Sequence, residues 1–378
     1  MSSPSPQNWG APKFKELFKK FTSKGHQQEE LLSVTQNHGV IPRRMLEGRV
    51  MAPQGGTNSY KLIESGDFAV SLRSFQGGIE FSKFKGLISP AYTVLRPTTE
   101  ICPDFYRHYF KSSAFIEKEL YRVTIGIRDG KQISIPDLMH LSVPTPPLHE
   151  QKKIAAILSS VDEAINATQA VIDQTRKVKE GLLQDLLTRG IGHTRFKQTE
   201  IGEIPEEWVD GKVDDFIVLQ RGFDITKKQR GQGSVPVVSS SGVAYYHNEY
   251  KVSHPGVVTG RKGKLGLVHY MTQDFWPHDT TLWVKDFKGN DPRFIYWYLI
   301  GFGLEKFDAA TAVPTLNRNV VHREPAAFPP IEEQKAITVI LDEVDNSIQA
   351  EEAKLAQLQQ TKRGLMQDLL SGDVRVHI

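Results

Sequence analysis

A single cysteine, Cys102, is all the thiol chemistry this chain carries. That excludes a disulfide framework and any C-x-x-C redox or zinc motif, and it fits a reducing compartment. No stretch approaches the roughly 18 uninterrupted apolar residues of a membrane helix, and Met1–Lys20 lacks the apolar run of a secretory signal. Neither a span nor export is therefore expected, and the expected location is cytoplasmic. H-E-x-x-H is absent and the twelve histidines are scattered, so no metal site is expected. Gly260-Arg261-Lys262-Gly263-Lys264 lacks the spacing and hydroxyl of a phosphate loop. The [DNS]-P-P-[YFW] motif of amino-methyltransferases is missing too, since Pro146-Pro147 follows Thr145 and Pro329-Pro330 follows Phe328. A strong charge of one sign is also lacking, for the net charge is +3. Its distribution says more: residues 1–145 hold 19 basic against 13 acidic side chains, residues 201–328 hold 15 against 15, and the last 50 hold 5 against 9. Nucleic acid would suit the first region and the basic clusters of the second better than the acidic tail.

What is present is a repeat. "PPLHEQKKIAAIL" from Pro146 returns as "PPIEEQKAITVIL" from Pro329, and at a constant offset of 183 the segments Pro146–Leu187 and Pro329–Leu370 agree at 21 of 42 positions without a gap. Ahead of them the echo is fainter and its offset drifts: Trp9 and Lys13 match Trp208 and Lys212 at 199, and "PDFYRHYF" resembles "PRFIYWYL" at 189. One unit is thus written twice, as a variable domain followed by a helix of frozen length. The expected divisions are 1–145 for the first domain and 146–190 for its helix. Residues 191–328 form the second domain with its leading linker, and 329–378 the second helix and tail.

Inside the repeats, apolar residues alternate in steps of four and three. The first helix has Ile154, Leu158, Val161, Ile165, Ile172, Leu182 and Leu186, interrupted by Thr168, Thr175 and Lys179. The second has Ile337, Leu341, Val344, Ile348, Leu355, Leu358, Leu365 and Leu369, interrupted by Glu351 and Lys362. A 3.5-residue seam predicts a coiled coil, with the polar interruptions fixing register. Each helix of roughly 40 residues would run about 60 Å at 1.5 Å per residue, and antiparallel pairing would give a pseudo-twofold object with two similar heads. Gly181 and Gly364 inside the helices suggest a close helix approach. Ile157, Val171, Leu183 and Leu187 leave a second apolar face for the head of the same repeat or for a partner.

The heads read as α/β with short strands, so the fold class is α+β. "DFAVSLRSF", "GLISPAYTVLRP" and the helix "CPDFYRHYFKSSAFIEKEL" follow one another in the first head. "PGVVTGRKGKLGLVHYM", "TTLWVKD" and "DPRFIYWYLIGFGLEKF" repeat that order in the second. Phe105, Tyr106, Tyr109, Ile295, Tyr296 and Trp297 are read as core packing. Two stretches suit a DNA backbone or a base edge. Arg261, Lys262 and Lys264 stand among glycines in a stretch read as a hairpin loop, where cations attract a polyanion and glycine admits close approach. Arg73, Ser74 and Gln76 form the counterpart, with side chains suited to guanine and adenine edges. Arg43, Arg44, Lys83, Lys85, Arg221 and Lys227 (with Lys228 beside it) are further candidates. Pro136-Asp137 followed by Glu150-Gln151-Lys152 imitates a PD…E-x-K nuclease site, but the second copy keeps Glu333-Gln334-Lys335 without a Pro-Asp partner. No catalytic residue is expected.

The doubled Pro-Pro-x-x-Glu-Gln helix start, the "GLLQDLL" and "GLMQDLL" ends, "TEIGEIPEEWV", "QRGFDIT" and "GRKGKLG" resemble the specificity subunit of type I restriction–modification systems. The resemblance covers nearly the whole chain; "FKKFTSKGHQQEELLSVTQNHGVIPRR" departs from the family's usual opening. It implies two target-recognition domains that read the halves of an asymmetric, bipartite site on double-stranded DNA, and helices that set the gap between them. It also implies two methyltransferase subunits docked on the helices and motor–nuclease subunits joining that core. S-adenosylmethionine, ATP and Mg²⁺ would then belong to the partners, with no cofactor on this chain. A stand-alone Mg²⁺-dependent restriction endonuclease and a coiled-coil adaptor that never binds DNA are the alternatives.

Overall fold

The computed structural model describes residues 9–46, 56–71, 78–125, 132–308 and 315–376. Two helices dominate it, a first arm, Leu148–Leu186, and a second arm, Ile331–Ser371. The chain divides into two compact units, and the division falls within both arms: one unit takes the chain up to Gln169 plus Ala353 onward, the other Ala170–Glu352.

In the first unit the core gathers Phe14, Phe18, Phe68, Tyr106 and Phe110 of the head, Ile154 and Leu158 near the start of the first arm, and Leu369 and Leu370 near the end of the second. The second unit repeats this with Trp208, Phe294, Trp297 and Phe328, Leu186 from the end of the first arm, and Ile337 and Leu341 from the start of the second. Start meets end in each unit, so the arms pair antiparallel. Along the seam Ile154, Leu158, Ile172, Leu186, Ile337, Leu341, Ile348 and Leu369 are buried, and Val161, Ile165, Leu182, Val344, Leu355, Leu358 and Leu365 are half-buried. Each fully buried aliphatic contributes about 1.5–3 kcal/mol, which makes the seam a main source of arm stability.

The lysines that interrupt the seam have a specific role. Lys362 Nζ lies 2.6 Å from Asp162 in the first unit, and Lys179 pairs with Asp345 in the second. Both lysines and both aspartates are repeat equivalents, so one ion pair is made twice with the donor helix exchanged. Shifting either helix by one residue would turn the lysine about 100° away from its aspartate.

The heads share a topology that their sequences hide. In the first, an antiparallel sheet runs Phe18–Phe21, Tyr92–Pro97, Phe68–Ser71, Ile79–Phe81. In the second the order is Val218–Arg221, Thr281–Asp286, Gly256–Gly260, Val268–Met271. Each is first–fourth–second–third in chain order, and in each the fourth strand leads to an aromatic helix, Pro103–Tyr109 or Pro292–Phe302. Phe105, Tyr106, Tyr109, Ile295 and Trp297 are buried and Tyr296 is half-buried.

Four details differ from the sequence reading. "GLISPAYTVLRP" is two strands, Gly86–Ile88 and Tyr92–Pro97, because the Ser89-Pro90 turn interrupts it, with Tyr92 N donating to Ser89 O at 3.1 Å. The helix expected over Cys102–Leu120 ends at Tyr109 and resumes as a wider π-helical stretch, Ala114–Leu120. Leu183 and Leu187 pack on the second head and Met366 on the first, each on the head of the other repeat, while Ile157 and Ile340 pack on their own. Gly181 and Gly364 mark no close approach: both are exposed, and a Cβ at either would find nothing within 4 Å.

Two outcomes follow for stability. Lys179→Asp should destabilise the second unit by about 1–3 kcal/mol, between the values for exposed and buried pairs. Lys179→Asp with Asp345→Lys should recover most of that in urea unfolding; a double variant no better than the single would remove the pair's register role. Gly181→Ala and Gly364→Ala should each stabilise the chain by about 0.5–1 kcal/mol, because alanine fits an exposed helix interior better, and a lower melting temperature would contradict the open surroundings described.

Candidate nucleic-acid interface

The doubled Pro-Pro-x-x-Glu-Gln start is a structural anchor. Gln151 is buried; its Nε2 donates to Pro146 O at 2.8 Å and its Oε1 accepts from Cys102 N at 2.9 Å, at the head of the aromatic helix. Gln334 donates to Pro329 O at 2.9 Å and accepts from Asp291 N at 2.9 Å in the same way. Glu150, also buried, takes Trp9 Nε1 at 3.2 Å and a two-point contact from Arg375 at 2.7 and 2.8 Å. Glu333 takes Trp208 Nε1 at 3.1 Å and His193 Nε2 at 2.9 Å. Burial alone would raise the pKa of Glu150, but the hydrogen bonds from Arg375 and Trp9 outweigh it and hold the carboxyl below its ordinary value. Asp137, the other half of the imitated nuclease site, lies exposed on the short helix Ile135–Leu138, and Lys152 is exposed on the arm. Glu150 is committed to positioning the arm, which leaves the PD…E-x-K reading without its central carboxylate.

The candidate DNA contacts of the first head are dispersed. Arg44 pairs with Glu30 at 2.8 Å and Lys85 with Glu29 at 2.6 Å. Arg43 shares a 3₁₀ turn with Arg44, and Lys83 is exposed. Arg73, Ser74 and Gln76 lie outside the described residues.

In the second head, two candidates converge. The strand Val218–Arg221 is a sheet edge, and at its end Arg221 NH2 lies 3.0 Å from Asp279 Oδ2. Arg261, where the Gly256–Gly260 strand ends, donates from NH1 to Asp279 O at 3.1 Å. Asp279 thus holds both guanidinium groups, and both line one cleft of about 750 Å³. Asp224 adds one negative charge to its wall and Gln220 an amide. Lys227, on a 3₁₀ turn, and Lys262 and Lys264, on the hairpin loop, are exposed but do not line the cleft. The loop glycines have a different purpose from the one their spacing suggested. A Cβ on Gly260 would sit 1.8 Å from Lys264 O, so this glycine lets the loop fold onto itself.

A further wall of the cleft was not singled out in the sequence. It is the segment Thr315–Asn319, which brings Thr315, Asn317, Arg318 and Asn319. Asn317-Arg318-Asn319, at the start of the helix Arg318–Arg323, carries the same amide and guanidinium chemistry as Arg73 and Gln76, and that was the available signal. Asp224, His278 and Asp279 have metal-ligand spacing, with one atom of each within 4.8 Å of the others, the one such group among the described residues. Asp279 is already engaged by Arg221 and His278, and of the three it is the one that holds arginines. Three guanidinium groups among three amides and one hydroxyl, with a single lining carboxylate, can bind a polyanion and hydrogen-bond base edges.

Comparison with known proteins identifies the family. The family model for the type I restriction modification DNA specificity domain matches residues 6–174 and 205–360. The type I restriction enzyme MjaVIII specificity subunit of Methanocaldococcus jannaschii is 25% identical over 352 residues, spanning 85% of this chain and 82% of that one. The putative MjaX specificity subunit of the same organism is 28% identical over 304 residues, spanning 75% and 71%. Among solved structures, the type I restriction–modification S subunit from M. genitalium shares the fold with a TM-score of 0.60 at 16% identity, covering 96% of each chain. A chain from a structural study of complex assembly and conformational transition in the type I R-M system also gives 0.60, at 14% identity, covering 98% of this chain and all of that one. With each matched segment taking in one head and most of the arm behind it, the chain belongs to the type I restriction–modification DNA specificity family.

Proposed function

We propose that this DNA-recognition subunit, itself not an enzyme, reads a split and asymmetric site, one half in each head, and that its paired arms set the gap. The observation that carries this reading is the doubled scaffold with unlike loops. Strand order and arm anchors recur in both heads, whereas Arg261–Lys264 and its counterpart around Arg73–Gln76 differ in chemistry. Two similar frames with different contact residues suit two different half-sites, commonly about one helical turn (roughly 34 Å) apart in two-headed readers. The target-recognition domains are residues 1–145 and 191–328. Two methyltransferase subunits dock on the arms, bringing S-adenosylmethionine and flipping an adenine from the duplex, and motor–nuclease subunits bring ATP and Mg²⁺. No helix among the described residues is long and apolar enough to cross a membrane, and the complex works in the cytoplasm.

The test is an adenine methylation map of cells carrying the chain with its methyltransferase, against cells lacking the chain. A split motif with a fixed gap should vanish on deletion; unchanged methylation with both partners expressed would favour the adaptor reading. Four residues inserted after Gln169 and four after Glu352 leave each Lys–Asp pair inside its own unit. They lengthen the arms by about 6 Å, close to two base-pair steps of about 3.4 Å. The gap should widen by one or two base pairs, and retention of the original gap would end the role of the arms as a spacer.

A further inference from the structure

The two walls of the second head's cleft differ in how much of their chemistry is already used. Arg221 and Arg261 are both held by Asp279. Alongside Arg261 the Thr315–Asn319 segment is fixed through its backbone. Leu316 N donates to Arg261 O at 2.8 Å, Thr315 bridges to Lys262, and the Asn317 side chain accepts from Asn319 N at 3.0 Å. The helix Arg318–Arg323 is tied to the sheet edge as well, since His322 Nε2 accepts from Leu219 N at 2.9 Å. The Arg318 and Asn319 side chains, by contrast, line the cleft, are exposed, and have no protein partner among the described residues.

A rigid backbone carrying uncommitted arginine and asparagine side chains is what base reading requires. Main-chain anchoring fixes where the side chains start, and the open valences of guanidinium and amide remain for the ligand. Arginine offers two parallel donors to guanine O6 and N7, and asparagine offers the donor and acceptor that match adenine N7 and N6. The arginines already held by Asp279 keep their charge but have given part of their donor set to the protein, which suits a phosphate. Phosphate contacts orient a reader on the duplex, while base-edge contacts carry the sequence information.

We propose that Arg318 and Asn319 are specificity-determining residues of the second head, reading base edges of its DNA half-site while Arg221 and Arg261 hold the adjacent backbone. This assignment rests on the DNA-reading function proposed above. The distinction between the walls is measurable, because losing a base contact relaxes one position whereas losing a phosphate contact weakens all sequences alike and lowers the salt dependence by about one unit.

The experiment maps adenine methylation in cells carrying the intact chain with its methyltransferase, and then Asn319→Ala, Arg318→Ala, Arg318→Lys and Arg221→Ala. Copurification of each variant with the methyltransferase reports folding independently of DNA reading. In Asn319→Ala and Arg318→Ala, one position of a single half-site should become degenerate, with discrimination there falling roughly tenfold to a hundredfold, while the other half-site and the gap stay unchanged. Arg318→Lys should relax the same position as Arg318→Ala, since lysine keeps the charge and loses the paired donors. Arg221→Ala should lower methylation at every site without changing the motif. If both alanine variants keep every position of the motif while the parent chain shows a split site, the assignment fails and the reading function stands. If the parent shows no split motif, the reading function fails and takes the assignment with it.

Discussion

The buried glutamine at the start of each arm is the contact on which the rest of the structure depends. Gln151 and Gln334 each close a ring of hydrogen bonds among three parts of the chain: the proline carbonyl before the arm, the arm itself, and the backbone leading into the head's aromatic helix. A buried amide that lost these partners would cost about 1–3 kcal/mol for each group left unsatisfied, so the arm and head cannot separate cheaply. Three residues farther along, Ile154 and Ile337 are fully buried in the same cores. Asp162 and Asp345, three turns on, receive the lysines of the opposite helix. All these contacts lie on one helical phase within each unit, and a single insertion would rotate everything beyond it by about 100°. That is the physical reason the repeats align over 42 positions without a gap, while the heads, joined by turns and loops, drift in length.

The frozen arms and drifting heads represent two kinds of constraint. A sheet edge or hairpin loop absorbs an inserted residue at little cost, since loop closure grows only slowly with length. The strand order first–fourth–second–third therefore survives in both heads although almost nothing in their loops corresponds. Scaffold energy sits in the aromatic cores and the arm anchors, and the proposed contact side chains, Arg318 and Asn319, are exposed beside a core residue, Leu316. Such a division lets one scaffold carry two different readers.

Much of this was legible because it is periodic or repeated. The 3.5-residue seam located the arms and their facing residues, and the repeat itself showed that the polar seam positions come in matched sets. The repeat could not show that Lys179 meets Asp345 and not a residue of its own helix, because that depends on antiparallel pairing bringing distant positions together. Gly181 and Gly364 misled for a related reason: recurrence at equivalent positions marks common descent of the two units, and only the surroundings reveal whether space is tight. The hairpin around Arg261 was visible from its glycines, but the purpose of Gly260 depends on the nearness of Lys264 O, which a Cβ at this position would meet at 1.8 Å, and no local pattern encodes that. The wall formed by Thr315–Asn319 lies more than fifty residues from Arg261 in the chain and is joined to it by a backbone hydrogen bond. Tertiary contacts of that range leave no signature in spacing.

The role proposed for the cleft is compatible with a net charge of only +3. Long-range attraction follows summed charge, but a contact follows the charges within about a Debye length, roughly 8–10 Å. Around the cleft Arg221, Arg261 and Arg318 stand with one lining carboxylate, Asp224; the Asp279 carboxylate offsets the charge of Arg221 at 3.0 Å, while Arg261 is held by the Asp279 main-chain oxygen. An acidic residue placed behind basic ones lowers nonspecific affinity and raises directional order at once. A subunit that must ignore most of the DNA it meets gains more from that order than from additional positive charge, since a larger net charge would tighten correct and incorrect sites equally.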